Sequence, residues 1–196
     1  MIRKFILPFI IIQFLQSCIS NGQEQVENFK TLISDTSITH RPNFEINFSK
    51  NQSEILNLPI LVNGVDSFEL RVWTFGFVTR KDLFILRYSQ NKWTSTYYRY
   101  YKTENIIDSL NLLSKEVKND KATLIQNFLI QDSILNLPTQ IAIPNFTDNT
   151  ADGETTYIEI ATSKFYKQIS YHNPQYFNEP NNKQFLKILN KIKIYY

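Results

Sequence analysis

Two histidines are the side chains in this sequence best suited to general acid–base chemistry or metal binding. His40 and His172 are the whole histidine content. His40 lies in a polar segment, where we expect it to be solvated, and His172 stands beside Asn173 and Pro174, a corner that favours a structural hydrogen bond. We therefore expect no catalytic histidine, no metal site and no cofactor.

The densest group of carboxylates lies in and after one loop, and its members are Asp148, Asp152, Glu154 and Glu159. A paired acid and base could hydrolyse a glycan or another exported substrate. However, Asp152 with Gly153 is a frequent turn pair, and the loop lacks the alternating oxygen ligands of an EF-hand. A hydrolase that uses Glu159 or Asp152 with His172 is the alternative function.

Glu159 differs from the other acids because it lies in the middle of a predicted strand. An acid on a sheet face needs either solvent or a partner. We expect a cross-strand ion pair with an arginine, and the candidates are Arg71, Arg87 and Arg99.

An aromatic run could form a stacking surface for sugars or peptides, because rings with polar tips suit wet binding surfaces. Its members are Trp93, Tyr97, Tyr98, Tyr100 and Tyr101. The rings alternate along a strand, so both sheet faces receive them, and one face must be core. We take Trp93, Tyr98 and Tyr100 as a tentative binding surface, and core packing of these rings is the alternative.

The bulk composition argues against nucleotide and nucleic-acid binding. Of the 21 lysines and arginines, two lie in residues 1–17, so 19 remain against 18 acids once that segment is removed. A protein that binds nucleic acid normally has a stripe of lysine and arginine on its surface. Only 4 glycines are present, too few for phosphate-binding glycine loops.

The N-terminus carries an export signal. Arg3 and Lys4 precede an apolar run from Phe5 to Leu15 that is too short to span a bilayer. The next residues, Gln16 and Ser17, end at Cys18, the one cysteine of the chain. Residues 15–18 resemble the lipobox of bacterial lipoproteins, with Gln16 as the atypical member.

That resemblance implies cleavage after Ser17 and lipid on Cys18, with more than one acyl chain for stable anchoring. It also implies the bacterial cell envelope, on the periplasmic side or the cell surface. An ordinary secretory signal is the alternative. We expect residues 18–42 to form a polar tether with one short helix, and residues 43–196 to form one globular domain.

Period-two alternation predicts the strands of that domain. Residues 67–73, 83–88 and 93–101 predict a three-strand meander, with breaks at Gly76 and the cluster 80–82 and a turn at Gln90 and Asn91. Residues 155–162 and 165–171 predict a later hairpin.

Helical spacing predicts a helix with Leu124, Ile125, Phe128 and Leu129, and a terminal amphipathic helix over 183–194. Residues 103–118 fit either type, because Ile106, Leu110, Leu113 and Val117 have helical spacing while Leu110 and Leu112 alternate. The fold class is therefore α+β, an antiparallel sheet of about five strands with two or more helices over one face.

The second half also resembles small exported bacterial domains of unknown function. The resemblance rests on short motifs: Leu137–Pro138, Asp152–Gly153, Tyr157 with Glu159, and Tyr171 with Asn173–Pro174. It implies export but no activity. We expect a non-catalytic domain that is bound to a membrane by its lipid and that binds a protein or glycan of the envelope.

Overall fold

The computed structural model describes residues 43–76, 80–90, 92–103, 106–118, 127, 134–150, 152–163 and 165–193. The signal segment, Cys18, the tether and His40 lie outside these residues. So does the predicted helix with Leu124, Ile125, Phe128 and Leu129. Among the described residues, no helix has the length and apolar character needed to cross a bilayer.

Two α-helices, six strands and four single-turn 3-10 helices make up the described fold. Helix α1 is Asn43–Ile55, and strands β1 to β4 are Phe68–Phe75, Arg80–Ser89, Lys92–Thr103 and Ile106–Val117. Strands β5 and β6 are Thr155–Thr162 and Tyr166–His172, and helix α2 is Pro180–Lys193. The class is α+β, as predicted, with one strand more than the expected five.

All neighbouring strands are antiparallel, in the order β4-β3-β2-β1-β5-β6. The meander therefore has four strands, and the later hairpin joins the sheet beside β1. The ambiguous segment is strand β4, which pairs with β3 along nearly its whole length. Residues 80–82, predicted as a break, begin β2 instead, because they pair with Phe75, Thr74 and the end of β3.

The helices cover both faces of the sheet, which corrects the expectation of one covered face. Helix α2 packs its apolar side on one face, against a core that includes Leu70, Phe84, Ile158 and Tyr171. The other face carries a smaller cluster around Trp73 and Leu83 that contacts Phe48 of α1. We name the two sides the α1 face and the α2 face.

Central strand β1 is buried on both faces, although its alternation predicts a half-buried strand. Glu69 and Arg71 are 1% and 0% exposed. They tolerate burial because they pair with each other, with 2.6 Å between Arg71 Nε and Glu69 Oε1. In β1, the charged residues that alternate with apolar ones therefore face a second core and not solvent.

Helix α2 begins at Pro180 because Glu179 caps it. The Glu179 carboxylate accepts hydrogen bonds from the backbone N–H groups of Asn181 and Asn182, both at 3.0 Å. These groups have no partner inside the helix, and proline suits the first helical position. Burial alone would raise the Glu179 pKa, but the hydrogen bonds to its charged form outweigh burial and lower it.

Candidate functional site

The three aromatic residues of the tentative binding surface do not form one surface. Trp93 lies on the α2 face and is 5% exposed, with its ring 5.6 Å from that of Phe68. Tyr100 lies on the α1 face, is 0% exposed, and donates a hydrogen bond to Gln52 Oε1 at 2.9 Å. These two rings belong to the core, and Tyr98 alone is half-buried.

Tyr98 lies in β3, next to the edge strand β4. It packs against the cluster under α1 and lies directly opposite Leu112 of β4. Residues opposite each other in an antiparallel pair share a face, so Tyr98 and Leu112 are neighbours on the α1 face. Burial raises the pKa of the Tyr98 hydroxyl, with smaller effects from Arg87 and Arg71 in the opposite direction.

Glu159 is buried in the sheet, at 1% exposed. Arg71 is its partner in the strand register, as the expected ion pair requires. The carboxylate instead accepts hydrogen bonds from Trp73 Nε1 at 2.6 Å and the Tyr166 hydroxyl at 2.5 Å. The described contacts of Arg71 are with Glu69, the Ser53 hydroxyl at 2.7 Å and the Pro59 carbonyl at 2.8 Å.

The acid and histidine of the hydrolase alternative do not converge. His172 lies opposite Thr155 in the register, four residues along β5 from Glu159, which corresponds to roughly 13 Å. In the described part of the chain, no three histidine, cysteine or acidic side chains are grouped to hold a metal. Glu159 and His172 therefore do not form one catalytic pocket.

His172 takes part in a hydrogen-bonded cluster at the end of β6. Its Nδ1 lies 2.7 Å from Asp148 Oδ2, and the other Asp148 oxygen accepts from the Thr150 hydroxyl at 2.6 Å. Burial acts to raise the Asp148 pKa, but the hydrogen bonds from Thr150 and His172 outweigh it and lower the pKa. Asn173 Nδ2 donates to the Asp152 carbonyl at 2.6 Å, so Asp152 takes part in the cluster through its backbone and not through its carboxylate. The cluster holds loop 148–154 against the strand end.

Two surface clefts are lined by ion pairs together with one further acid each. One, of about 300 Å³, lies beside Glu69 and Arg87, which are 2.6 Å apart. The other, of about 360 Å³, includes Arg80 and Asp82, also 2.6 Å apart. Burial acts to raise the Asp82 pKa, but hydrogen bonds from Arg80 and Arg99 lower it. Each cleft also has an exposed carboxylate in its lining, Asp66 in the first and Glu154 in the second, and neither acid is grouped with other ligands to hold a metal among the described residues.

One edge of the sheet is covered by polar side chains. Gln140 Nε2 donates to the His172 carbonyl at 3.0 Å, and Gln140 Oε1 accepts from the His172 N–H at 2.8 Å. One residue earlier, the Thr139 hydroxyl accepts from the Ser170 N–H at 3.1 Å. These side chains occupy backbone groups of Ser170 and His172, in the second half of β6, that a further strand would use.

The other edge, β4, presents apolar side chains. Leu110 and Leu112 are 47% and 58% exposed, and Leu113 is 60% exposed. The first two lie opposite Tyr100 and Tyr98 on the α1 face, and Leu113 lies opposite Tyr97 on the α2 face. Among the described residues no strand pairs with the outer side of β4. A long edge strand with exposed apolar residues is a ready template for pairing with another chain.

The regular part of this edge has a defined start. The β3–β4 register shifts between Tyr101 and Lys102, and regular pairing of β4 begins at Ser109, opposite Tyr101. We name Ser109–Val117 the open edge. Its sequence fits a helix and a strand equally well. The signal in the sequence is three leucines within a polar run, Leu110, Leu112 and Leu113.

No protein-family model and no curated protein matches this chain.

Proposed function

We propose that this chain is an exported, lipid-anchored, non-catalytic domain that binds a protein by adding a strand of its partner to the open edge. The contrast between the two sheet edges carries the proposal. Thr139 and Gln140 block β6 with side-chain hydrogen bonds, whereas β4 presents three exposed leucines. Strand addition supplies affinity through backbone hydrogen bonds, and side chains at alternate positions supply specificity.

The chemistry of the open edge favours a protein over a glycan. Binding of a sugar would need several accessible rings with polar tips. Tyr100 and Trp93 are inside the core, and Tyr101, at 37% exposed, is the one ring of β3 that counts as exposed. Leucines on both sides of an edge strand suit a partner strand whose side chains extend both faces of the sheet. The anchor is supported by residues 15–18, which resemble a lipobox, and it would place the open edge in the cell envelope.

The test compares two substitutions of exposed apolar residues in the full-length chain. Leu112→Ser changes the open edge, and Ile141→Ser, at a position that is 65% exposed, is the matched control. Both should leave the circular dichroism spectrum unchanged, because neither side chain is buried. Partner capture from envelope extract should fail for Leu112→Ser and persist for Ile141→Ser.

Hydrogen exchange then locates the contact. Addition of the captured partner should slow exchange at backbone amides of residues 109–117, because outward N–H groups gain acceptors. Equal capture by both variants, or protection elsewhere without protection of β4, would contradict the proposal.

A further inference from the structure

We infer that the open edge pairs with the open edge of a second copy of this chain, the two strands antiparallel and centred on Asn111. This rests on the proposed function, because it names the protein that occupies the same edge. The resulting homodimer would have one continuous sheet, with β4 of each copy at its middle. The inference follows from symmetry, from the sequence of β4 and from the two different edges of the sheet.

Symmetry restricts which residues can face each other. The two-fold axis that relates two paired antiparallel edge strands is perpendicular to the sheet, and rotation about it keeps each face of the sheet on its own side. Opposite residues share a face, so a residue can pair only with one an even number of positions away. One residue of β4 then lies on the axis, opposite itself.

Three centres keep the leucines within the pairing, namely Asn111, Leu112 and Leu113. A centre at Leu113 puts Leu110 opposite Glu116 of the copy, and a centre at Leu112 puts it opposite Ser114. A centre at Asn111 puts Leu110 opposite the copy's Leu112, and by symmetry does so twice. This register matches apolar with apolar and places no charged residue opposite a leucine.

The Asn111 register also fits the surface that is available. The four leucines of the pair meet on the α1 face, where each Leu112 already lies beside Tyr98. The five central pairs run from residue 109 to residue 113, within the regular part of β4 that begins at Ser109. Leu110 and Leu112 are 47% and 58% exposed in one copy, so their mutual contact would remove apolar surface from water.

The axis perpendicular to the sheet has a consequence for membrane attachment. Because the faces are kept, α1 of both copies lies on the same side of the joined sheet. Helix α1 begins at Asn43, directly after the proposed tether, so both tethers would start from one side. This arrangement lets both anchors enter a single membrane.

The blocked β6 edge limits the assembly to two copies. A sheet with two open edges could add copies without end, whereas an interface of one edge with itself is closed. In each copy Thr139 and Gln140 occupy the outward backbone N–H groups of Ser170 and His172, so strand addition is hindered at the second half of β6 at both outer edges of the joined sheet. The structure therefore favours a dimer over a fibre.

Disulfide trapping tests the register. The full-length chain with Cys18→Ser, in mild detergent, receives one new cysteine at a time: Asn111→Cys, Ser109→Cys or Leu113→Cys. Asn111→Cys should form a covalent dimer on mild oxidation. Ser109→Cys and Leu113→Cys should each stay monomeric on a non-reducing gel, but a mixture of the two should give the covalent dimer. Trapping that is equal at all three positions would overturn the inference.

Mass measurement separates this inference from the proposed function. Light scattering should give a dimer for the unsubstituted chain and for Ile141→Ser, and a monomer for Leu112→Ser. If the unsubstituted chain is a monomer while an envelope protein protects residues 109–117 from exchange, the homodimer is overturned and the proposed function stands. If the chain is a dimer whose β4 amides exchange as fast as in Leu112→Ser, the homodimer through the open edge is overturned. If, in addition, no envelope protein slows exchange at residues 109–117, the proposed function is overturned as well.

Discussion

Gly153 lies against the side chain of Asn173, so closely that a Cβ at residue 153 would fall 1.8 Å from Asn173 Oδ1. Asn173 has a left-handed backbone, with φ of 46°, and its Oδ1 accepts the N–H of Glu154 at 2.9 Å. Gly153 itself has φ of 142°. The acidic loop is therefore fixed by a contact that only glycine permits.

Gly153→Ala should destabilise the fold. The added Cβ must displace Asn173, and positive φ adds backbone strain, so we expect a loss of roughly 2 kcal/mol or more in the free energy of unfolding. Urea denaturation measures it. Gly76→Ala is the control, because nothing lies within 4 Å of a Cβ there. Similar midpoints for the two variants would contradict the close contact.

Glu179→Gln should weaken the fold at neutral pH and have little effect in acid. The folded-state pKa of Glu179 is below its ordinary 4.5 because of the hydrogen bonds at the start of α2. A lowered pKa gives stability that is present above the ordinary value and is lost as the pH falls through the folded value. We expect a difference of about 1 kcal/mol near neutral pH, which should shrink below about pH 4 in urea titrations. A difference that is constant over this range would show that the charge of Glu179 is unimportant.

Arg71→Met should be among the most damaging substitutions in the domain. It leaves Glu69, which is 1% exposed, without its buried partner, and loss of one member of a buried pair costs roughly 3–5 kcal/mol. Arg80→Met is the control, because its side chain is 48% exposed in its pair with Asp82 and should cost less than about 1 kcal/mol. Equal unfolding midpoints for Arg71→Met and Arg80→Met would show that Arg87 alone is enough to balance the buried charge of Glu69.

Cys18→Ala should release the chain from membranes or stop its maturation, because the proposed acyl chains need that sulfur. Fractionation of cells and incorporation of labelled palmitate measure the two effects. Ser20→Ala, two residues further on, should change neither. Unchanged fractionation and processing of Cys18→Ala would remove the lipid anchor from the proposal.

Local patterns were sufficient to predict most of the strands and helix α2. Alternation placed β5 at residues 155–162, where the structure has it, and the apolar side of α2 includes Phe185 and Ile188 as predicted. Helix α1 was not predicted. Three of its buried residues are polar, Ser49, Gln52 and Ser53, so its sequence lacks the apolar stripe that marks a packed helix.

The binding edge was harder to predict because it depends on long-range pairing. The spacing of leucines in β4 satisfies a helix and a strand equally, and pairing with β3 decides between them. The buried hydroxyl of Tyr100 donates its hydrogen bond to Gln52, which is 48 residues away in the sequence. Alternation shows which rings share a face of the sheet, but it does not show which face a helix covers.

Arg71 joins the sheet to two points of the chain that precede it, the Ser53 hydroxyl and the Pro59 carbonyl. Both points lie between the N-terminal segment and β1. If that segment is a tether, a mechanical pull from the membrane would reach the sheet through the buried guanidinium of Arg71. Arg71 belongs to β1, a central strand with a neighbour on each side. Force applied there would have to break two charge-assisted hydrogen bonds together, so a tether at this point would pull against a region of high resistance to unfolding under tension.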